Sequence, residues 1–170
     1  ICADIDFSEN EIDIKKSRAK LDGEPILVKG SIDKNAKADI SILANNLQLK
    51  GLLIALGQIQ LLRDNDIYGG TIDLKALIKG RLDKAIPTVD ILVNNVSLKN
   101  KPNKAMVKLS SAQIKAVSDG KKTKGQMELL GLKVAPQSPV GVISIPNVKL
   151  SFNEKDLNID TAKLFINSSK

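Results

Sequence analysis

The stretch Thr71-Ile72-Asp73-Leu74-Lys75-Ala76-Leu77-Ile78-Lys79-Gly80-Arg81-Leu82 decides the fold. Its apolar residues fall on Ile72, Leu74, Ala76, Ile78 and Leu82, with Thr71, Asp73, Lys75, Lys79 and Arg81 between them, and only Leu77 interrupts the period of two. A helix brings every third or fourth residue to one face, so this spacing belongs to a strand with one apolar and one wetted side. All five apolar residues are expected on the same side. The alternation recurs as Ala3/Ile5/Phe7, Ile12/Ile14, Ile26/Val28, Ala38/Ile40/Ile42, Val89/Ile91/Val93, Ala105/Val107/Leu109, Val148/Leu150/Phe152 and Ala162/Leu164/Ile166. Turn signals separate these runs at Asp22-Gly23-Glu24-Pro25, at residues 65–70 (Asn-Asp-Ile-Tyr-Gly-Gly), at Asn100-Lys101-Pro102-Asn103, at Asp119-Gly120 and at residues 153–156 (Asn-Glu-Lys-Asp). Short connections between such strands favour an antiparallel meander.

The chain also repeats. Val28-Lys-Gly-Ser-Ile-Asp-Lys34 returns as Ile78-Lys-Gly-Arg-Leu-Asp-Lys84, followed in both copies by Asp-Ile (39–40, 90–91) and by Asn-Asn-Leu-Gln-Leu-Lys (45–50) or Asn-Asn-Val-Ser-Leu-Lys (94–99), a spacing of 49 to 51 residues. A weaker match pairs Phe7-Ser-Glu-Asn-Glu-Ile-Asp-Ile14 with Phe152-Asn-Glu-Lys-Asp-Leu-Asn-Ile159. The repeat units read as 28–51 and 78–100, with a further one beginning near 148. No targeting peptide is visible at Ile1-Cys2-Ala3, and the chain reads as one segment, 1–170, of a longer repeat protein.

One run departs from the alternation. Residues 51–62 (Gly-Leu-Leu-Ile-Ala-Leu-Gly-Gln-Ile-Gln-Leu-Leu) suit a single short helix, which Gly57 weakens by about 1 kcal/mol relative to Ala. Leu52, Leu53, Ile54, Leu56, Ile59, Leu61 and Leu62 spread around most of its circumference. Such a helix could lie over an edge or end of the sheet, or act as a lid or membrane-touching element.

Composition removes whole classes of function. The 170 residues hold no His and one Cys, so His-based acid–base chemistry, Cys–His nucleophiles, Cys/His zinc sites and an internal disulfide are excluded. The net charge of +7 raises nucleic acid or anionic lipid as partners. Yet only three of the 26 basic residues are Arg (Arg18, Arg63, Arg81), and three Phe and one Tyr leave little for base stacking, which argues against nucleic acid. The densest basic cluster, Lys121, Lys122 and Lys124, reads as a solvated turn. Asp4/Asp6 read as the wet side of a strand and Asp64/Asp66 as a turn, Cys2 lacks an activating partner, and Gly30 and Gly80 fit a bulge or sharp curvature, not a phosphate loop. No enzyme, cofactor or metal site emerges.

At this point the chain resembles the AsmA-like group of bacterial envelope proteins, including the TamB type. The resemblance lies in strands ending in Lys-Gly-x-(Ile/Leu)-Asp, in the Asp-Ile-x-Ile-x-Ala-x-Asn-Leu-x-Leu pattern of residues 39–49, in the Leu-Leu-x-Ala-Leu-Gly run at 52–57, and in the opening Ile5-Asp-Phe-Ser-Glu-Asn-Glu-Ile-Asp-Ile14. It covers most of residues 3–100 and 148–167, while 104–146 shares only the alternation. It implies a mainly all-β fold, a strongly curved antiparallel sheet folded like a taco around an open apolar groove. It also implies a periplasmic role, in a parent protein anchored in the inner membrane, in phospholipid transport and outer-membrane biogenesis. Acyl chains of a phospholipid or fatty acid and adjacent repeats of the parent chain are the partners implied. The groove would be lined by Ile12, Ile14, Ile26, Val28, Ile40, Ile42, Ile72, Leu74, Ala76, Ile78, Leu82, Val89, Ile91, Val93, Val107 and Leu109. A one-sided sheet can equally hide its apolar face in a sandwich or barrel. The alternative reading is therefore a structural β-repeat or β-sandwich that binds an envelope protein through its sheet edges.

Overall fold

The computed structural model describes residues 2–119, 122–137 and 141–167. Among these residues eleven strands form one antiparallel sheet: β1 (Cys2–Phe7), β2 (Glu11–Leu21), β3 (Glu24–Asp33), β4 (Lys37–Gln48), β5 (Asn65–Arg81), β6 (Ile86–Asn100), β7 (Met106–Ser118), β8 (Thr123–Ala135), β9 (Val142–Asn153), β10 (Leu157–Ala162) and β11 (Phe165–Asn167). Each strand pairs with its neighbour in sequence from β1 to β10, and β11 pairs with β9 beyond the end of β10. The sheet is open and curved, as the alternation and the short turns lead one to expect. No second sheet lies over it among the described residues, so the sandwich alternative is not the architecture adopted.

Register makes the two-sidedness explicit. Along β5 the pairing with β6 runs without a shift from Thr71 to Lys79, so Ile72, Leu74, Ala76 and Ile78 share one side as expected. Leu82 does not join them. The strand ends at Arg81, and Leu82 falls in a 3-10 turn (Leu82–Lys84) where it is 51% exposed. The physical reason is Gly80: at φ +111° it bends the chain before the alternation is complete. Residues 65–70, expected as a turn, belong instead to β5, where Asn65 faces Asn100 and Ile67 faces Leu98; Asp64 closes a helix and Asp66 lies in the strand. Ala105 precedes β7, and Leu164 lies between β10 and β11.

The signals read as a turn at residues 65–70 mark something else, a crease across six strands. Pairing slips between Ala44 and Leu47 on β4 and around Gly69 on β5, Asn95 and Ser110 face each other unpaired on β6 and β7, and Gly131 and Pro146 do so on β8 and β9. Asn46 (φ +56°), Gly70 (φ +140°), Asn95 (φ +52°) and Gly131 (φ +65°) supply the backbone conformations this needs. The Asn46 N–H donates to Asp73 Oδ1 at 2.8 Å, tying the slip to β5. A bulge bends its strand and raises its twist; the register shifts on β4 and β5 continue at the same level as unpaired positions, without a shift, in β6 to β9.

The single helix expected over 51–62 is two, α1 (Leu49–Ala55) and α2 (Ile59–Asp64), because Gly57 takes a left-handed conformation (φ +68°) and breaks the run. They bridge β4 to β5. Leu49 and Leu52 pack on the cluster Ala44, Leu47 and Ile72 beside the crease, and a Cβ on Gly70 would already meet the Leu49 side chain at 3.0 Å. Leu47, 1% exposed, is the largest fully buried side chain among the described residues. Leu47→Ala is expected to cost about 3 kcal/mol, measured by urea denaturation, because the slipped backbone on either side cannot collapse into the void.

Candidate functional site

The apolar side of the sheet is continuous. One row runs Ala19, Ile26, Ala44, Leu74, Ile91, Ile114, Met127, Leu150, Ile159, directly opposed strand to strand from β2 to β10. On one side of it runs Val28, Ile42, Ala76, Val89, Ala116, Gly125, Phe152, Leu157. Beyond the crease a third row joins Ile67, Leu98, Val107, Val134, Ile143 and Ile166. Facing Cβ atoms in such rows are about 5 Å apart, so the side chains touch and form a surface.

Of the expected lining residues, the structure places Ile26, Val28, Ile40, Ile42, Ile72, Leu74, Ala76, Ile78, Val89, Ile91 and Val93 together on this surface. Ile12 and Ile14 lie at its β2 margin, opposite Ile32 and Gly30, and Val107 and Leu109 lie across the crease. Leu82 is outside it. Ala112, Ile114, Ala116, Met127 and Leu129 belong to it and were missed by sequence reasoning. Most of these side chains are half-buried, whereas only eight hydrophobic side chains are buried among the described residues and no polar one is. The surface therefore holds no sequestered polar anchor.

Of the cap residues, Leu52, Leu53 and Leu62 turn partly inward, while Ile54, Leu56, Ile59 and Leu61 are exposed, as is the neighbouring Tyr68. The helices thus cover part of the apolar surface near β4 and β5 and carry an apolar exterior of their own.

A hollow of about 790 Å³ lies on the other face of the sheet. Lys75, Leu77, Asp90, Lys115, Val117 and Lys124 border it, and of the expected lining only Val89 does, from beneath. Gln113 donates to Asp90 Oδ1 at 3.0 Å. Leu77, the one residue that interrupts the alternation in the opening stretch, was the signal for this hollow, since it and Val117 put apolar side chains on the wetter side.

No group of three or more carboxylate or thiol side chains gathers as a metal site among the described residues. The Cys2 side chain, Gly120 and Lys121 lie outside the described part, and with Lys121 so does part of the basic cluster. Lys15 pairs with Asp6; that hydrogen bond first, and the carboxylate charges around it, hold its ammonium above the usual lysine value. Lys15 is exposed, and any stabilisation from it is present below pH 10.5 and lost as pH rises through the raised value. No helix is long and apolar enough to cross a membrane among the described residues. No protein-family model matches the chain, and neither the curated proteins nor the solved structures contain a match.

Proposed function

We propose that this chain is a lipid-binding segment of an AsmA-like, TamB-type periplasmic protein, in which acyl chains lie against the apolar face of the sheet and pass along it. The observation that carries the reading is the apolar row that crosses nine strands and that, among the described residues, no second sheet covers, the short helices lying over it only near β4 and β5. Water against so much aliphatic surface is unfavourable by about 25 cal/mol per Å², and a row without hydrogen-bonding groups favours a ligand without them. Ile, Leu, Val and Ala, with Met127, Gly125 and Phe152, make that surface, so an acyl chain meets no polar stop along it. The role is binding and conveyance, not catalysis, in phospholipid transport and outer-membrane biogenesis.

The test is a titration of the delipidated 170-residue chain with a fluorescent fatty acid. Saturable binding is expected, displaced by phospholipid and not by glycerophosphocholine, which has the headgroup without the tails. Displacement by the headgroup alone, or no binding of the fatty acid, contradicts the proposal.

A further inference from the structure

The hairpin of β9 and β10 reproduces the hairpin of β1 and β2 residue for residue, at a shift of 145 (Phe7 to Phe152). Phe7 faces Ile12 and Ile5 faces Ile14 in the first; Phe152 faces Leu157 and Leu150 faces Ile159 in the second. Both ladders then skip one residue, Lys15 or Asp160, and resume with Asp4 opposite Lys16 or Lys149 opposite Thr161. The skipped side chain reaches the same place on its neighbour each time: Lys15 pairs with Asp6, and Asp160 Oδ1 accepts from Ser151 Oγ at 2.9 Å. The turns match as well. Ser8 N–H donates to the Glu11 carbonyl at 2.9 Å and Glu11 N–H to Ser8 Oγ at 3.0 Å; Asn153 N–H donates to the Asp156 carbonyl at 3.0 Å and Asp156 N–H to Asn153 Oδ1 at 3.0 Å.

The copies differ on their outer side. β2 pairs there with β3, whereas β10 has no strand on that side among the described residues, and its Leu157 and Ile159 are exposed. In the β2–β3 ladder Ile12 faces Ile32 and Ile14 faces Gly30; after the slip Ser17 faces Val28, which leaves Lys29 beside Lys15 and Lys16. At the shift of 145 the positions of Lys15 and Lys16 are held by Asp160 and Thr161. The edge of β10 therefore keeps the register and the slip of the β2 edge and replaces its positive charge with a carboxylate.

We propose that the outer edge of β10 binds an extended strand of the β3 type, antiparallel, in the β2–β3 register. Its partner carries alternating aliphatics, a glycine facing Ile159 and a lysine beside Asp160, as Ile26-Leu27-Val28-Lys29-Gly30-Ser31-Ile32 does. The open N–H and C=O groups of an edge strand give the attraction, the slip at Asp160 fixes the register, and the lysine–carboxylate contact selects the sequence.

The test uses a labelled peptide with the sequence of β3 (Glu24–Asp33), added to the whole delipidated chain, which keeps the outcome independent of lipid. Saturable binding is expected, with slowed amide hydrogen exchange confined to residues 157–162. Asp160→Lys, at an exposed position, should weaken binding about tenfold by setting lysine against lysine. A peptide with valine in place of its glycine should lose about as much, because valine resists the φ of +139° that Gly30 adopts. Equal binding of a scrambled peptide, protection elsewhere in the sheet, or no protection at 157–162 overturns the proposal.

Discussion

Ile42→Asp is expected to leave the chain folded and to strip it of lipid. Ile42 is half-buried in the row Val28, Ile42, Ala76, Val89, outside the cluster that α1 and α2 cover. A carboxylate in a sealed apolar site costs several kcal/mol or takes up a proton. On an open face it turns toward water, and the loss should be only about 1–2 kcal/mol, in the range of ordinary single substitutions. For an acyl chain the same carboxylate is an obstacle it cannot hydrogen-bond. We expect a cooperative urea transition close to that of the unaltered chain, and at least a tenfold fall in lipid extracted per mole of protein. Ile78→Glu, on the same side of β5, should behave alike. Leu47→Asp is the contrast: at a fully buried position it should unfold the domain. Unfolding by Ile42→Asp, with no lipid on the unaltered chain, would mean that this face is a closed core.

The second large effect separates two glycines that the sequence repeat makes equivalent. A Cβ on Gly30 would sit 2.0 Å from the Asp39 carbonyl oxygen and 2.7 Å from the Ile40 Cα, both backbone, at a φ of +139°. A Cβ on Gly80, at φ +111°, would find nothing nearer than 3.7 Å. Gly30→Ala therefore combines backbone strain with overpacking, each of order 1–3 kcal/mol, for a loss of about 4 kcal/mol. Gly80→Ala carries strain alone and should lose about 1 kcal/mol. Denaturant titrations of the two variants check this. Equal losses would show that the close approach of β3 to β4 is not what demands glycine.

The strands were legible because most present one apolar side over at least three alternating positions, as in β5 and β6. What hid the rest was the crease. β8 crosses it without a shift of register, yet its half-buried apolar residues change parity there, Met127 and Leu129 before Leu130-Gly131 and Leu132 and Val134 after it. No period of two survives that, and the middle of the apolar face, Ile114 and Met127 included, was missed with it. The same chemistry misled at residues 65–70: Gly69 and Gly70 there lie at slips inside a strand, since glycine reaches left-handed conformations and serves bulges as readily as turns. The break at Gly57 is local to the chain but depends on Leu49 and Leu52 finding the Leu47 cluster, a contact that no local pattern contains. The hollow of the second face was signalled only by Leu77, which gains meaning once Val117 is known to lie in its row.

The most direct test places a photo-activatable benzophenone side chain at Ile114 or at Val117, three residues apart on β7 and on opposite faces of the sheet. Irradiation in cells, followed by mass spectrometry of the purified chain, reads which face touches lipid. A phospholipid adduct at Ile114 and none at Val117 is the predicted result; an adduct at Val117 alone, or equal yields at both positions, contradicts an acyl-chain path along the apolar face.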